Sequence, residues 1–230
     1  MFDSIQEAYI SASKDVSDIN EHINTLLYYS RKCSHVTEFG VRTWVSTAAF
    51  LFGLENNHKF VGYDIVSMPE AQHLFDLAKK EGKNTEYIIR DVLDPELEIE
   101  PTEFLFIDTW HTFKQLKTEL EKHSHSVSRF IAFHDTVSFG KTDEILPWYE
   151  EWEHKWLLMA IDQFLILNPE WKILEQHENN NWLLILENVN AYVPQADSYI
   201  PQNIENPTET DTLNQKIHSE VLDDAFWDNE

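Results

Sequence analysis

The sequence predicts an α/β fold: a doubly wound, mostly parallel sheet of seven strands with helices on both faces and an antiparallel hairpin at its end. Three observations predict it. Short apolar segments alternate with helical segments along most of the chain. The strand segments 59–65, 103–108 and 128–135 have apolar cores, as in strands covered on both faces. Two further apolar segments flank Asn179, Asn180 and Asn181, and asparagine tolerates the left-handed backbone angles of a hairpin turn.

The elements follow in order from residue 18 to residue 188. The first is a helix over 18–32, with Ser17, Asp18 or Asn20 as its cap. The strands are predicted at 35–39, 59–65, 85–91, 103–108, 128–135, 171–177 and 182–188. The helices between them are predicted at 43–54, 69–82, 111–123 and about 147–167. Thr43 or Ser46 lies near the start of the helix at 43–54.

The amino-acid composition excludes several classes of function. The chain has 230 residues, of which 41 are acidic and 17 basic, so its formal charge is −24. Nucleic-acid binding needs clustered basic residues to neutralise phosphates, so it is not expected, and an anionic membrane surface is disfavoured too. Cys33 is the single cysteine, which excludes an internal disulfide and fits a reducing, cytoplasmic setting. The N-terminus does not resemble a signal peptide, and no run of 18 apolar residues occurs.

The acidic charge concentrates at the C-terminal end. Residues 191–230 hold nine acidic residues and one lysine, together with three prolines, and we expect them to form a disordered acidic tail. Residues 1–190, with N-terminal helices at about 3–32, then form one domain. Phe226 and Trp227 lie among acids near the chain end. They are either a docking peptide for a protein contact or a chance pair in a solvated tail.

Each of the five predicted parallel strands ends near a carboxylate. In open α/β sheets, ligands bind outside the carboxyl ends of the strands, where the strand order reverses. Five acids on one edge repel each other, so such an edge suits a cation, ligand hydroxyls or both. The five residues are Glu38, Asp64, Asp91, Asp108 and Asp135.

The loop after the first strand has the features of a nucleoside site. Gly40 allows a sharp turn and a close backbone approach to a ligand. Asp64 follows 24 residues later, a spacing that fits an acid accepting hydrogen bonds from ribose hydroxyls. Arg42 has a planar fork that can hold a carboxylate of the ligand or of Glu38, or form a surface ion pair instead.

A second constellation follows the fourth and fifth strands. Asp108 and His111 come from IDTWH, and His134 and Asp135 from AFHDT. Two carboxylates and one or two imidazoles can bind a divalent metal: oxygen ligands favour Mg²⁺, Mn²⁺ or Ca²⁺, and a histidine ligand shifts the choice toward Mn²⁺, Fe²⁺ or Zn²⁺. His111 can alternatively take a hydroxyl proton as general base. The simpler alternative is that His111 caps a helix and His134 packs under a loop.

These residues resemble a known family, the class I S-adenosylmethionine-dependent methyltransferases, and most closely the macrocin O-methyltransferase and cephalosporin-hydroxylase-like group. The terminal hairpin is typical of that fold rather than of the nicotinamide-binding one. The segment with Asp108 and His111 is the most specific part. The similar segments are HVTEFGVRTWVST (35–47), FVGYDI (60–65), FLFIDTWHTFKQLKTEL (104–120), RFIAFHDTVSFG (129–140) and NPEWKILEQHENNNWLLILE (168–187).

The resemblance implies a cofactor site for S-adenosylmethionine. It implies that Glu38, Gly40 and the nearby backbone hold the methionine part, that Asp64 takes the ribose hydroxyls and that Asp91 lies near the adenine. The neighbouring residues Arg42, Thr43 and Asp108 are counted with this site. Trp44 occupies the position of a second glycine of the family's loop, and its ring would narrow the methionine pocket.

The resemblance also implies a metal site and a base. Asp108 and Asp135 match two metal-ligand positions of the metal-dependent members, and the ion would be Mg²⁺ or Mn²⁺. His134 stands where those members often have a third acid, so it completes the expected ligand set and changes which metal is preferred. His111 matches the histidine proposed as base in related enzymes, and Asp108 is counted with it as catalytic.

The expected function is therefore methyl transfer from S-adenosylmethionine, with O-methylation of a hydroxylated small molecule or sugar as the specific reaction. An acidic edge favours a neutral or cationic acceptor, either a small molecule or a glycan. Two alternatives stay open: a non-catalytic scaffold that uses the acidic tail, and a nicotinamide-dependent oxidoreductase. The absence of G-x-G-x-x-G counts against the oxidoreductase. The sequence leaves open whether the chain forms a homo-oligomer.

Overall fold

The computed structural model describes residues 2–136 and 156–191. The helices are α1 (Ile5–Lys14), α2 (Ile23–Ser30), α3 (Val45–Gly53), α4 (Pro69–Lys80), α5 (Phe113–His123) and α6 (Leu157–Leu167). The strands are β1 (His35–Phe39), β2 (Lys59–Asp64), β3 (Asn84–Ile89), β4 (Thr102–Ile107), β5 (Val127–His134), β6 (Trp171–His177) and β7 (Leu183–Asn188). Short 3-10 turns cover Asn20–His22 and Ser124–Ser126.

The seven strands form one sheet in the order β3-β2-β1-β4-β5-β7-β6. β1 to β5 run parallel, and β7 pairs antiparallel with both β5 and β6. From β1 the chain adds β2 and β3 on one side of the sheet, and then crosses to add β4 and β5 on the other side. The strand order therefore reverses between β1 and β4. The predicted fold class and the predicted C-terminal hairpin are confirmed.

Helices cover both faces of the sheet. One apolar cluster joins α1, α2, α3 and α4 to one face, with Phe50, Phe60 and Phe104 buried at its centre. A second cluster joins α5 and α6 to the opposite face, where Leu105 and Ile131 are buried. Burial on both faces explains why β2, β4 and β5 have apolar centres. In the parts of the chain that the structure describes, none of the helices is long and apolar enough to cross a membrane.

The first predicted helix is shorter than expected. The spacing predicts a helix over 18–32, but the α-helix begins at Ile23 after the 3-10 turn. The side chains expected to cap it have other partners. Asp18 forms an ion pair with Arg42, and the Asn20 side chain accepts from the Ser17 backbone N–H at 3.1 Å. Before it, the N-terminal helix α1 begins at a true cap, because Ser4 Oγ accepts from the Glu7 backbone N–H.

Two later helices also begin two residues after the predicted start. α3 begins at Val45, because the residues before it turn through left-handed angles. α5 begins at Phe113, because Thr112 provides the cap by accepting from the Gln115 backbone N–H at 3.2 Å. His111 therefore precedes the cap and does not serve as one. Residues 147–155 of the last predicted helix and residues 192–230 of the predicted tail lie outside the described residues.

Candidate active site

The five predicted acids follow one edge of the sheet. Glu38 lies inside β1 and Asp64 ends β2, while Asp108 and Asp135 directly follow β4 and β5. Asp91 lies two residues beyond β3, because that strand ends at Ile89. Since the strand order is β3-β2-β1-β4-β5, the point where the order reverses falls between Glu38 and Asp108. The edge therefore divides into one half around Asp64 and another around Asp108 and Asp135.

Glu38 is fully buried and faces the start of α3. Its two carboxylate oxygens accept from the hydroxyls of Ser46 and Thr47, each at 2.5 Å. Burial, with smaller contributions from the charges of Asp108 and Asp64, raises the pKa of Glu38 to about 8, although the hydrogen bonds from the two hydroxyls act to lower it. Glu38 thus braces the first loop from inside, and Arg42 is not its partner.

The loop between β1 and α3 is strained. Gly40, Arg42 and Trp44 all have positive φ, at 89°, 48° and 110°. Such angles cost about 1–3 kcal/mol each for residues other than glycine, and they cluster at ligand-binding sites. The Trp44 ring packs edge-on against Phe2, with ring centroids 4.6 Å apart. Gly40 makes its close approach to the Asp108 main chain, where a Cβ would lie 2.0 Å from the carbonyl oxygen.

Arg42 and Asp64 are linked through the backbone of this loop. The Arg42 backbone N–H donates to Asp64 Oδ2 at 2.7 Å, and the Val66 backbone N–H donates to Asp64 Oδ1 at 3.0 Å. The Arg42 guanidinium instead points to Asp18, which it meets at 2.5 Å, and its side chain is mostly exposed. Of the alternatives for Arg42, the structure therefore has the surface ion pair.

The remaining predicted cofactor residues, Asp91 and Thr43, lie at the surface of the same edge. Asp91 is exposed, and its Oδ1 accepts from the Leu93 backbone N–H at 2.8 Å, which starts a turn after β3. Thr43 is half-buried in the first loop. Trp110, which lies between Asp108 and His111, is 37% exposed.

The second constellation comes together as predicted for strands that neighbour each other. His111 Nε2 lies 3.3 Å from Asp108 Oδ1 and 3.2 Å from Asp135 Oδ2. His134 Nδ1 lies 3.5 Å from Asp108 Oδ2 and 3.4 Å from Asp135 Oδ2. We call these four residues the acidic cluster. One ligand atom each from Asp108, His111 and Asp135 fits within 4.8 Å of the others, as in a cation site.

The side chains of the acidic cluster are mostly buried, and the charges of its members change each other's pKa values. Burial alone would raise the pKa of Asp108, but the hydrogen bond from His111 and the charges of His111 and His134 outweigh it, so the pKa lies below its ordinary value. Burial alone would lower the pKa of His134, but the two carboxylates raise it. Asp135 has φ 58°, a left-handed angle that directs its side chain from the end of β5 into this cluster.

His134 is oriented by a backbone carbonyl. Its side chain is 1% exposed, and its Nε2 lies 3.1 Å from the carbonyl oxygen of Asn180 in the turn between β6 and β7. That contact requires a proton on Nε2, because a carbonyl only accepts. Among the described residues, Nδ1 has no hydrogen-bond partner and faces the two carboxylates. A proton or a cation must therefore compensate the repulsion there.

Sequence reasoning missed the residues that support the cluster. Glu119 is fully buried on α5 and accepts from Thr109 Oγ1 at 2.6 Å, which braces the loop between Asp108 and His111. Burial raises the pKa of Glu119 to about 7, despite the hydrogen bonds from Thr109 and Gln115. His22 contacts the same turn as His134. A charged residue at a core position of α5 was a usable signal for Glu119, whereas His22 had none.

Comparisons with known proteins bear on the fold. No family model and no curated protein matches the sequence. The O-methyltransferase from Bacillus cereus in complex with SAH is a structural match with a TM-score of 0.54 at 14% identity, covering 81% of this chain and 91% of its own. TomG, an O-methyltransferase from Streptomyces achromogenes involved in tomaymycin synthesis, crystallised with SAM, matches at 0.53 and 11% identity, covering 81% and 90%.

The fold is shared beyond O-methyltransferases. The N-methyltransferase NodS from Bradyrhizobium japonicum, in complex with S-adenosyl-L-homocysteine, matches with a TM-score of 0.52 at 13% identity, covering 81% of this chain and 99% of its own. At these identities the likeness is one of fold, so it does not identify the atom that receives a methyl group. The chain has the Rossmann-like fold of the S-adenosylmethionine-dependent methyltransferases.

Proposed function

We propose that this chain is an S-adenosylmethionine-dependent methyltransferase that methylates a hydroxyl group with the help of a divalent metal. The observation that carries the proposal is the acidic cluster, which lies beside the switch point of a methyltransferase fold. Asp108 directly follows β4, and its backbone N–H donates to the Phe39 carbonyl of β1 at 2.9 Å. The cluster and the first loop therefore face the same space.

The first loop and Asp64 support binding of S-adenosylmethionine. In this proposal, the loop backbone at Gly40, Arg42 and Thr43 holds the methionine part, and Glu38 acts from behind by fixing the start of α3. Asp64 keeps lone pairs for the ribose hydroxyls while it accepts from two backbone N–H groups. Asp91 lies near the adenine end, and Asp108 borders the cofactor from the end of β4.

The charge of the edge supports this cofactor over a dinucleotide. S-adenosylmethionine carries a sulfonium cation, and the edge carries five acidic residues with Arg42 turned toward Asp18. A nicotinamide dinucleotide would bring an anionic pyrophosphate to the same place, where like charges repel. The antiparallel β7–β6 hairpin also differs from the all-parallel dinucleotide fold. The oxidoreductase alternative is therefore disfavoured.

The acidic cluster fits a divalent metal. Ligand atoms that share one Mg²⁺ or Mn²⁺ lie about 3–4 Å apart, and the nitrogen-to-oxygen distances in the cluster are 3.2–3.5 Å. The buried, unpartnered Nδ1 of His134 is the donor that such an ion would use. We assign Asp108, His134 and Asp135 as ligands. The nitrogen ligand favours Mn²⁺ over Mg²⁺.

The roles of the residues follow from this arrangement. Asp108, His134 and Asp135 would hold the divalent ion, which would supply a lowered pKa to a nearby hydroxyl group. His111 would take the hydroxyl proton as general base, and the two carboxylates, at 3.3 and 3.2 Å from its Nε2, would stabilise the imidazolium that results. The acceptor oxygen then displaces the sulfur at the methyl carbon in line, and much of the rate gain comes from orientation of the two groups by the rigid strand ends.

The acidic edge also bears on the acceptor. A neutral or cationic hydroxylated small molecule or sugar meets attraction there, whereas an anionic acceptor meets repulsion. The sequence segments around Asp108 and Asp135 favour the macrocin O-methyltransferase-like group within this class. The buried single cysteine, Cys33, favours a reducing, cytoplasmic compartment. The proposal includes a homo-oligomer and a protein contact through residues 191–230.

The test is transfer of a labelled methyl group from S-adenosylmethionine to a panel of sugars and hydroxylated small molecules, with EDTA and after Mn²⁺ is restored. We expect transfer that EDTA stops, that Mn²⁺ restores and that Asp108→Asn abolishes. Asp76→Asn is the control, because Asp76 is exposed on α4 and bonds only Gln72 among the described contacts. A rate of methyl transfer that is unchanged both by EDTA and in Asp108→Asn would contradict the metal assignment.

A further inference from the structure

The turn between β6 and β7 lies against the acidic cluster from one side. His134 pairs with Leu183 across β5 and β7, so the preceding turn stands next to the His134 ring. The carbonyl oxygen of Asn180 accepts a hydrogen bond from His134 Nε2 at 3.1 Å. In metal sites, a ligating histidine donates its other N–H to such a carbonyl, and this bond sets the ring's direction and tautomer.

A second histidine holds the same carbonyl. His22 Nε2 lies 3.0 Å from the Asn179 oxygen and 3.2 Å from the Asn180 oxygen, and His22 is 1% exposed. The Asn180 oxygen has two lone pairs, and two imidazole N–H groups use them. The His22 and His134 rings pack edge-to-face, with their centroids 5.9 Å apart. Removing His22 would take away one of the contacts that keep this carbonyl directed at His134.

The turn needs such support because its backbone is strained. Asn180, Asn181 and Trp182 have φ of 42°, 68° and 69°, three left-handed residues in succession. Each costs free energy unless its surroundings hold it in place. The segment before α2 holds this turn in place. Asn180 Nδ2 donates to the Ser17 carbonyl at 3.0 Å, and the Glu21 backbone N–H donates to Asn180 Oδ1 at 3.3 Å.

We propose that His22 is a positioning residue for the acidic cluster. By fixing the Asn179 and Asn180 carbonyls, it keeps the His134 ring turned so that Nδ1 faces Asp108 and Asp135. The described contacts of His22 reach the turn and the edge of the His134 ring, and neither carboxylate is among them. The inference rests on the proposed function, because it assigns His134 as a metal ligand, and it adds a residue remote in sequence to the machinery of that site.

The test compares Mn²⁺ binding to the full chain and its variants by calorimetry, with SAH affinity and melting temperature measured on the same samples. His22→Phe keeps a ring and loses the N–H, and we expect its Mn²⁺ affinity to fall about 10–100-fold while SAH affinity stays unchanged. His22→Gln restores an N–H donor and is expected to recover most of the affinity. His35→Phe is the matched control: it removes a histidine-to-carbonyl contact, to Pro101, at the opposite edge of the sheet.

The outcomes separate this inference from the proposed function. If the wild-type chain binds no Mn²⁺, the metal assignment itself fails. If the wild type binds Mn²⁺ and His22→Phe binds it equally well, only the role of His22 is overturned. A measurement on the wild type covers the case in which His22→Phe does not fold. In ¹⁵N NMR with diamagnetic Zn²⁺ bound, His134 and His22 are both expected to carry a proton on Nε2; a proton on Nδ1 of His134 would contradict the metal assignment, and a His22 with no proton on Nε2 would overturn its role.

Discussion

Gly40 and Asp108 are in such close contact that a Cβ atom on residue 40 would lie 2.0 Å from the Asp108 carbonyl oxygen and 2.7 Å from its carbonyl carbon. The contact joins the first loop, at the end of β1, to the start of the acidic cluster, at the end of β4. The glycine that the sequence suggests for a ligand approach is thus required by packing between the two halves of the candidate site.

This contact predicts a strong effect of Gly40→Ala. Gly82→Ala is the matched control, because Gly82 has nearly the same φ, 83° against 89°, and open space where a Cβ would go. Gly82→Ala should lower the free energy of unfolding by about 1–2 kcal/mol from backbone strain alone. Gly40→Ala should lower it by about 1–3 kcal/mol more, because the overlap must be relieved. Chemical denaturation measures both, and equal losses would contradict the contact.

The two histidines of the acidic cluster should separate in their effects. His111→Gln is expected to lower methyl transfer by about 10²–10⁴-fold, the usual contribution of a general base, with Mn²⁺ affinity little changed. His134→Gln is expected to weaken Mn²⁺ binding at least about tenfold. Transfer of label and calorimetry measure the two quantities. The reverse pattern, with Mn²⁺ binding lost in His111→Gln alone, would make His111 the third ligand and contradict its role as base.

Stability should depend on pH through Glu38. Its pKa is about 8 in the folded chain, above the ordinary value of 4.5 that the unfolded chain has. Between these pH values the folded state keeps the proton and the unfolded state loses it. The free energy of unfolding therefore falls as pH rises from about 4.5 to 8, by at most about 1.4 kcal/mol per pH unit from this residue.

Glu38→Gln tests this dependence. Relative to wild type, the variant should gain stability steadily between pH 5 and pH 8, as measured by denaturant unfolding at each pH. Glu55→Gln, which changes an exposed glutamate, should run parallel to wild type. A constant difference between Glu38→Gln and wild type over this range would mean that Glu38 is ionised in the folded chain.

Trp44→Gly addresses whether the Trp44 ring closes the cofactor site. The ring packs on Phe2, so its removal should leave S-adenosylmethionine affinity within about threefold, which is under 1 kcal/mol. Phe2→Ala is the companion variant that removes the contact from the other side. An affinity gain of tenfold or more in Trp44→Gly would show that the ring occludes the site.

The sheet was predictable because its signals are local. Strands 35–39 and 171–177 agree with the structure to the residue, since Gly40 and the asparagine turn at 179–181 bound them within a few positions. The left-handed angles of Asn180 and Asn181 were predictable from residue type. The starts of the helices were less predictable. Asp18 pairs with the distant Arg42, and Asn20 accepts from the nearby Ser17 backbone N–H, so neither side chain caps the helix.

The acidic cluster was predictable from strand ends and strand order, whereas its support was not. The carboxyl ends of adjacent parallel strands meet at one edge, so Asp108 and Asp135 had to be near each other. The bond from His134 to Asn180 joins residues 46 positions apart, and the bond from His22 to Asn180 spans 158. Contacts of that range depend on how the hairpin docks against the N-terminal segment, which no local pattern encodes.

The most direct test of the account is calorimetric titration of the full chain with S-adenosylmethionine, with and without Mn²⁺, and with NADH as the control ligand. The account predicts micromolar binding of S-adenosylmethionine that is lost in Asp64→Ala and kept in Asp76→Asn, a separate effect of Mn²⁺ that requires Asp108, and no binding of NADH. Binding of NADH, or no binding of S-adenosylmethionine under any of these conditions, would contradict it.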